Sequence, residues 1–329
     1  MELPDLTLLG YSDRRPSLRI IRLSDRSVEP AGSALAKSIG FSRMFLRNGW
    51  IAVDCHQELW SIPLPMTAAG TLIARGMFDF APSLDPANFW LAANTRNSGA
   101  RVLVEIDGRG RSVSSPIPVE AGTRLHAVTP MGFVTGSEAA GLRLLERDGT
   151  TSRSVPGLEG DWQVIGAHGS TVVAEHRGHE LAIVDLEREQ VLTVDRPGDG
   201  PWGNGAEFSP DGQTVAIEVR RDALSPSLPF TEAIAGPASH QPAWLVLVDA
   251  ASGTAQVCEG EFESFAYVPV WSRDGQWIVF ASPFEKRQIW LVERNEAMLR
   301  RVPFRRQPPM PMLDVTGVTL SPPSITNTD

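Results

Sequence analysis

Residues 205–219 read GAEFSPDGQTVAIEV and residues 268–282 read VPVWSRDGQWIVFAS, the same sentence written twice 63 residues apart. In each copy an apolar run closes on an aromatic residue, Phe208 or Trp271, and passes through Ser-x-Asp-Gly into a second apolar run. Asp can accept hydrogen bonds from nearby backbone N–H groups, and Gly supplies the positive φ of a tight turn. Each copy therefore reads as strand, turn, strand. A third strand follows each (AWLVLVDA at 243–250, QIWLVERN at 288–295), then a fourth (TAQVCEG and LRRVPF). A chain that repeats four short strands must bury each sheet against its neighbours.

The third strand marks the register through the rest of the chain. It recurs as LRIIRL from 18, LWSIPL from 59, LVEIDG from 103, LRLLER from 142, LAIVDL from 181, LVLVDA from 245 and IWLVER from 289. The intervals are 41, 44, 39, 39, 64 and 44 residues. A period near forty with four strands per unit is the signature of a propeller blade. The long interval holds RRDALSPSLPFTEAIAGPASHQP (220–242), an insertion between the second and third strands of unit 6. Turn residues recur on schedule at Asn48-Gly49, Asp85–Asn88, Pro130–Gly132, His168-Gly169, Asp211-Gly212 and Asp274-Gly275.

These units predict an all-β chain, a single seven-bladed β-propeller over 1–329 with four antiparallel strands per blade. Blade 1 supplies only three strands, LTLLGYS, SLRIIRL and SVEPAG. The segment DVTGVTLS, about 314–321, is expected to complete it and close the ring, leaving no sheet edge open. FSPDGQTVAIEV and WSRDGQWIVFAS resemble the WD-repeat-like units of TolB-type propellers, also found in the propeller domains of prolyl oligopeptidases. The close match covers two blades, and the other five match in spacing and turn chemistry. TolB is periplasmic and carries an extra N-terminal domain. The start of this chain, MELPDLTLLGYSDRRPS, lacks a basic region followed by a continuous apolar one, so no signal peptide and a cytoplasmic location are expected. TolB's role is therefore not carried over.

Composition excludes several classes. The net charge of −9 argues against a nucleic-acid partner. No apolar run is long enough for a membrane helix. Cys55 and Cys258 fit reduced thiols. There is no Gly-x-Ser-x-Gly elbow and no Walker A loop. Gly198-Asp-Gly-Pro-Trp-Gly203 matches G-x-G-x-x-G, but a strand follows where a dinucleotide site needs a helix.

Six of the nine tryptophans (Trp60, Trp90, Trp244, Trp271, Trp277 and Trp290) fall within strands and are expected to pack between blades. Trp202, in the Gly/Pro loop entering blade 6, is expected to be partly exposed and to bind. Leu228 and Phe230 give the insertion an apolar segment, and with His240 complete the predicted binding set. Loops between second and third strands share one end of a propeller with the loops between blades. That end carries His56, His176, His179 and His240. His176, His179 and His240 form a candidate divalent-metal set, with His56 too far across the ring to join it.

The leading expectation is a non-catalytic recognition platform that binds a protein or peptide on this loop-rich face, without a cofactor. A small-molecule or carbohydrate ligand is a further class. The alternative is a metal-dependent propeller enzyme. Oligogalacturonate lyases, single-domain seven-bladed propellers, use histidines and a glutamine around manganese, and His240-Gln241 beside His176 and His179 is similar in residue type.

Overall fold

The computed structural model describes residues 3–12, 17–31, 43–55, 58–66, 70–76, 79–94, 100–137, 141–155, 157–198, 200–220, 242–260, 262–263, 269–281, 288–304, 308–318 and 320. They form seven antiparallel sheets. Each sheet runs from an innermost to an outermost strand in chain order, except in blade 1. There the C-terminal strand Met310–Asp314 pairs with Thr7–Ser12 and takes the innermost place.

The chain thus closes its ring through its C-terminal part, one strand earlier than DVTGVTLS suggests. Asp314 ends the strand and Val315-Thr-Gly317 turns away from it: the Asp314 carboxylate accepts the Thr316 N–H at 2.8 Å, and Gly317 has φ +74°. Thr316 Oγ1 then accepts the Thr7 N–H at 2.9 Å, and the Thr7 carbonyl accepts the Val315 N–H. Pro311 is tolerated in the closing strand because an innermost strand pairs on one side only and can lack an N–H on the other.

The apolar runs have a simple origin. Both faces of every blade are covered by a neighbour, so both parities of a strand must be apolar. Val215, Ile217 and Val219 pack with Val173, Leu181 and Ile183 of blade 5, while Ala216 joins Trp271, Ile278 and Phe280 of blade 7. The seven hydrophobic clusters correspond to the seven blade-to-blade interfaces, including blade 7 against blade 1. The six in-strand tryptophans do pack into these clusters, Trp271 buried and the others half-buried.

Blade 6 departs from its siblings. Its third strand, Pro242–Asp249, is eight residues long. Ala255–Val257 pairs with one end of it and Phe262–Glu263 with the other. The insertion does join the second and third strands of this blade: Thr214–Arg220 and Pro242–Asp249 pair up to Arg220↔Ala243. Residues 221–241, and with them Leu228, Phe230 and His240, lie outside the described residues, as does His56.

Candidate functional site: the central channel and its two mouths

The innermost strands line a channel with two unlike ends. At one end lie the turns joining first and second strands. The Ser-x-Asp-Gly pair has the same wiring in both copies. Asp211 accepts from the Ser209 hydroxyl and the Gln213 N–H, and Ser209 Oγ accepts the Thr214 N–H at 3.0 Å. Asp274 accepts from the Ser272 hydroxyl and the Gln276 N–H, and Ser272 Oγ accepts the Trp277 N–H at 2.8 Å. The recurring motif is a self-satisfied turn.

These turns also bind the blades together. The Arg294 guanidinium, from blade 7, donates to Asp211 and to Thr214 Oγ1 of blade 6, each at 2.7 Å. Burial pushes the Asp211 carboxyl upward, but hydrogen bonds from Ser209 and Arg294, followed by that of Gln213, outweigh it and hold the group well below the usual carboxylate range. Arg273 gives its N–H to Asp314 at 2.7 Å and its guanidinium to the Thr316 carbonyl. Arg47 of blade 2 spans to the carbonyls of Ser83, Asp85 and Asn88 of blade 3. The cavity here, about 410 Å³, has Arg47, His168, Ser209, Pro210, Arg273 and Asp314 in its wall. Its two arginines are committed to neighbouring turns.

The middle of the channel, reaching toward the other end at Asp54 and Asp79, is lined differently. A cavity of about 670 Å³ is walled by blades 2 to 6, with Asp54, Asp79, His126 and Glu207 as its described titratable residues. Phe45, Glu207 and Phe208 line both cavities and mark the waist of the channel. Asp79 holds the Arg101 guanidinium at 2.5 Å and accepts the Leu125 N–H at 3.4 Å, so this pair ties blade 3 to blade 4. Arg101 also reaches the Thr123 carbonyl.

His126 is the extra residue of a β-bulge, where the register slips between Leu125 and Ala127. Gly136 makes room for it: a Cβ there would stand 2.7 Å from its Nε2. Burial lowers the pKa of the imidazole, Asp79 opposes this and Arg124 adds to it. The ring is therefore neutral at pH 7. Innermost strands of blades 1, 5 and 6 carry register slips as well.

Trp202 is not the exposed loop residue that its neighbours Gly198–Gly203 suggest. It starts the innermost strand of blade 6, is 2% exposed and packs against Val173, Leu181 and Val219. Its N–H donates to the Gly178 carbonyl at 2.7 Å and the Pro201 carbonyl accepts the Arg220 N–H, which turns the indole inward. The glycines of this stretch serve the same packing. A Cβ on Gly198 would meet the Trp244 ring at 2.8 Å, and one on Gly203 would meet Glu218 at 3.0 Å.

His176 and His179 share the loop between the second and third strands of blade 5. His176 stacks on Trp162 at 5.3 Å between ring centroids, with Nδ1 3.2 Å from Glu180. His179 Nδ1 lies 3.3 Å from the Arg196 guanidinium. Glu175 is buried and accepts the Gly178 N–H, and burial raises its carboxyl pKa above the usual value. Among the described residues no three of His, Cys, Asp and Glu are grouped to hold a metal ion.

The sequence reading missed the channel carboxylates and His126. For Asp79, His126 and Glu207 the only linear signal is a titratable residue on a first strand, Asp54 sits near the end of a second strand, and the bulge that aims His126 leaves no mark in a period-two pattern.

No protein-family model and no curated protein matches the chain. Solved structures do match it, and they show the fold. TolB from Acinetobacter baumannii superposes with a TM-score of 0.50 at 12% identity, over 94% of this chain. This chain spans 66% of the length of that TolB. An oligogalacturonate lyase from Vibrio parahaemolyticus gives 0.58 at 13% identity, over 88% of this chain and 92% of the lyase. The β-propeller domain of Cps50 (Swd1) from Myceliophteria thermophila gives 0.52 at 12%, over 83% and 88%. The chain has the seven-bladed fold shared by TolB-like and WD-repeat-like propellers.

Proposed function

We propose that this chain is a recognition propeller that binds a protein or peptide at the loop-bearing mouth of its channel. The observation that carries the reading is the asymmetry of the two mouths. At the turn mouth, Asp211, Arg273, Asp314 and Arg47 are consumed by turn and blade-to-blade hydrogen bonds. The cavity of about 670 Å³ inside the channel reaches toward the opposite mouth at Asp54 and Asp79, and blade 6, which shares its wall, carries the 221–241 insertion at that mouth. A loop of that length in a compact fold is usually either functional or a linker, and the apolar Leu228 and Phe230 in its sequence favour the first.

The metal-enzyme reading draws less support. Of its three histidines, His176 and His179 face Glu180 and Arg196, and a guanidinium beside Nδ1 competes with a bound cation. Likeness to a lyase at 13% identity concerns the fold alone.

The test is selection of peptides from a displayed library against the intact protein, with a variant carrying a four-residue turn in place of 221–241 as the comparison. Peptides that bind the full chain and lose affinity for the shortened one support the reading. No enrichment, or equal binding to both, would overturn it.

A further inference from the structure

The described wall of the larger cavity contains three carboxylates, Asp54, Asp79 and Glu207, one histidine and no lysine or arginine. The histidine, His126, is neutral at pH 7 because burial lowers its pKa. Arg101 answers Asp79. Asp54 and Glu207 have partners of their own, but every charged side chain of the described wall is acidic, in a chain whose net charge is −9. A cleft lined by one sign of charge focuses its field on the entering ligand.

Aromatic rings accompany the charge. Phe45 and Phe80 pack edge to face at 5.9 Å, and Phe45 and Phe208 line the waist on both sides. Glu207 stands at that waist. It is exposed, while Ala206 and Phe208 on either side of it are buried, so its carboxylate belongs to the channel and not to a blade interface. Its carbonyl separately accepts the Trp271 indole N–H at 2.9 Å, which fixes the strand it sits on. Carboxylates beside aromatic rings in a partly enclosed volume are the chemistry that recognises an organic cation.

We infer that the channel takes the guanidinium or ammonium group of a basic ligand, with Glu207 as its anionic anchor at the waist and Asp54 nearer the loop mouth. The inference rests on the recognition reading in naming a basic peptide side chain as the source of that cation. The partners an exposed carboxylate already has do not oppose this, because surface ion pairs exchange at small cost.

The experiment is calorimetric titration of the full chain at low salt with three probes: an acetylated, amidated Gly-Arg-Gly, its uncharged citrulline counterpart, and agmatine. The arginine peptide should bind, the citrulline peptide about tenfold more weakly or not at all, and added salt should weaken the first. Glu207→Gln should weaken the arginine peptide by about tenfold at unchanged melting temperature. Asp54→Asn gives a second reading of the same wall, and Glu29→Gln, an acid on an outer strand of blade 1, should change nothing. Agmatine binding without peptide binding would keep the cation site and overturn its peptide source. Equal binding of the arginine and citrulline peptides, an unaffected Glu207→Gln, or no binding of either cation would overturn the inference. The recognition reading would then stand or fall on the loop-shortening test alone.

Discussion

Arg294 of blade 7 reaches across a blade interface to Asp211 of blade 6, Nη1 to Oδ2 at 2.7 Å, and anchors its other nitrogen on Thr214. Asp211 is at the same time the acceptor of its own turn. One carboxylate thus serves both the hairpin that repeats along the sequence and the seam that repeats around the ring.

Replacing Arg294 by alanine should therefore lower stability by about 1 kcal/mol, the scale of a partly exposed, charge-assisted contact, without touching the channel. Asp211 has a depressed native pKa, so its contribution is present above the ordinary carboxylate range and is lost as pH falls through the native pKa. Denaturant unfolding of Arg294→Ala should show a smaller loss of stability between neutral and acid pH than the unmodified chain. An identical pH profile would contradict this.

Asp274→Ala removes the acceptor of the second turn and should cost about 1 kcal/mol. Peptide binding at the opposite mouth should be unchanged. Lost binding at unchanged stability would mean that the turn face had been misread.

Two truncations separate the closing strand from the residues C-terminal to it. A chain ending at Leu320 keeps Met310–Asp314 and the Leu320 carbonyl that accepts the Met66 N–H, and should melt like the full chain. A chain ending before Met310 exposes the Thr7–Ser12 edge and should aggregate or melt far lower.

His126 and Glu175 should move stability with pH in opposite directions. The native His126 pKa is lowered, so the unfolded chain binds more protons near and below pH 6.5, and acidification through that range destabilises the fold. The Glu175 pKa is raised, so Glu175 costs stability as pH rises above its ordinary value of 4.5. Melting curves of His126→Asn should flatten the slope between pH 7 and 5, and those of Glu175→Gln should gain most at neutral pH.

Metal uptake separates the two functional readings. After exposure to zinc, manganese or nickel, the recognition account expects no stoichiometric metal by elemental analysis. Stoichiometric metal that His179→Ala abolishes and His56→Ala retains would favour the enzyme.

The blades were legible because both faces of the inner strands are buried and most turns between first and second strands carry a glycine. TVAIEV and WIVFA announce themselves, and Gly212 and Gly275 punctuate them. The closing strand was legible in place but not in register, since the stretch after Asp314 looks like a strand's partner until its hydrogen bonds show a turn. Trp202 misled because burial depends on two long-range hydrogen bonds, to Gly178 and from Arg220 to Pro201, that no local composition encodes. The channel wall was hardest. Asp54, Asp79, His126 and Glu207 come from four blades, up to 153 residues apart in the chain, and only ring closure brings them to one cavity.

The central claim is that the turn mouth is structural and the loop mouth recognises. Hydrogen exchange of the full chain, with and without a library-selected peptide, tests it most directly. The account predicts slowed exchange around Asp79, Arg124–His126, His176–Glu180 and the ends of the 221–241 insertion, with Asp211–Thr214 and Asp274–Trp277 unchanged. Protection confined to those two turns would contradict it.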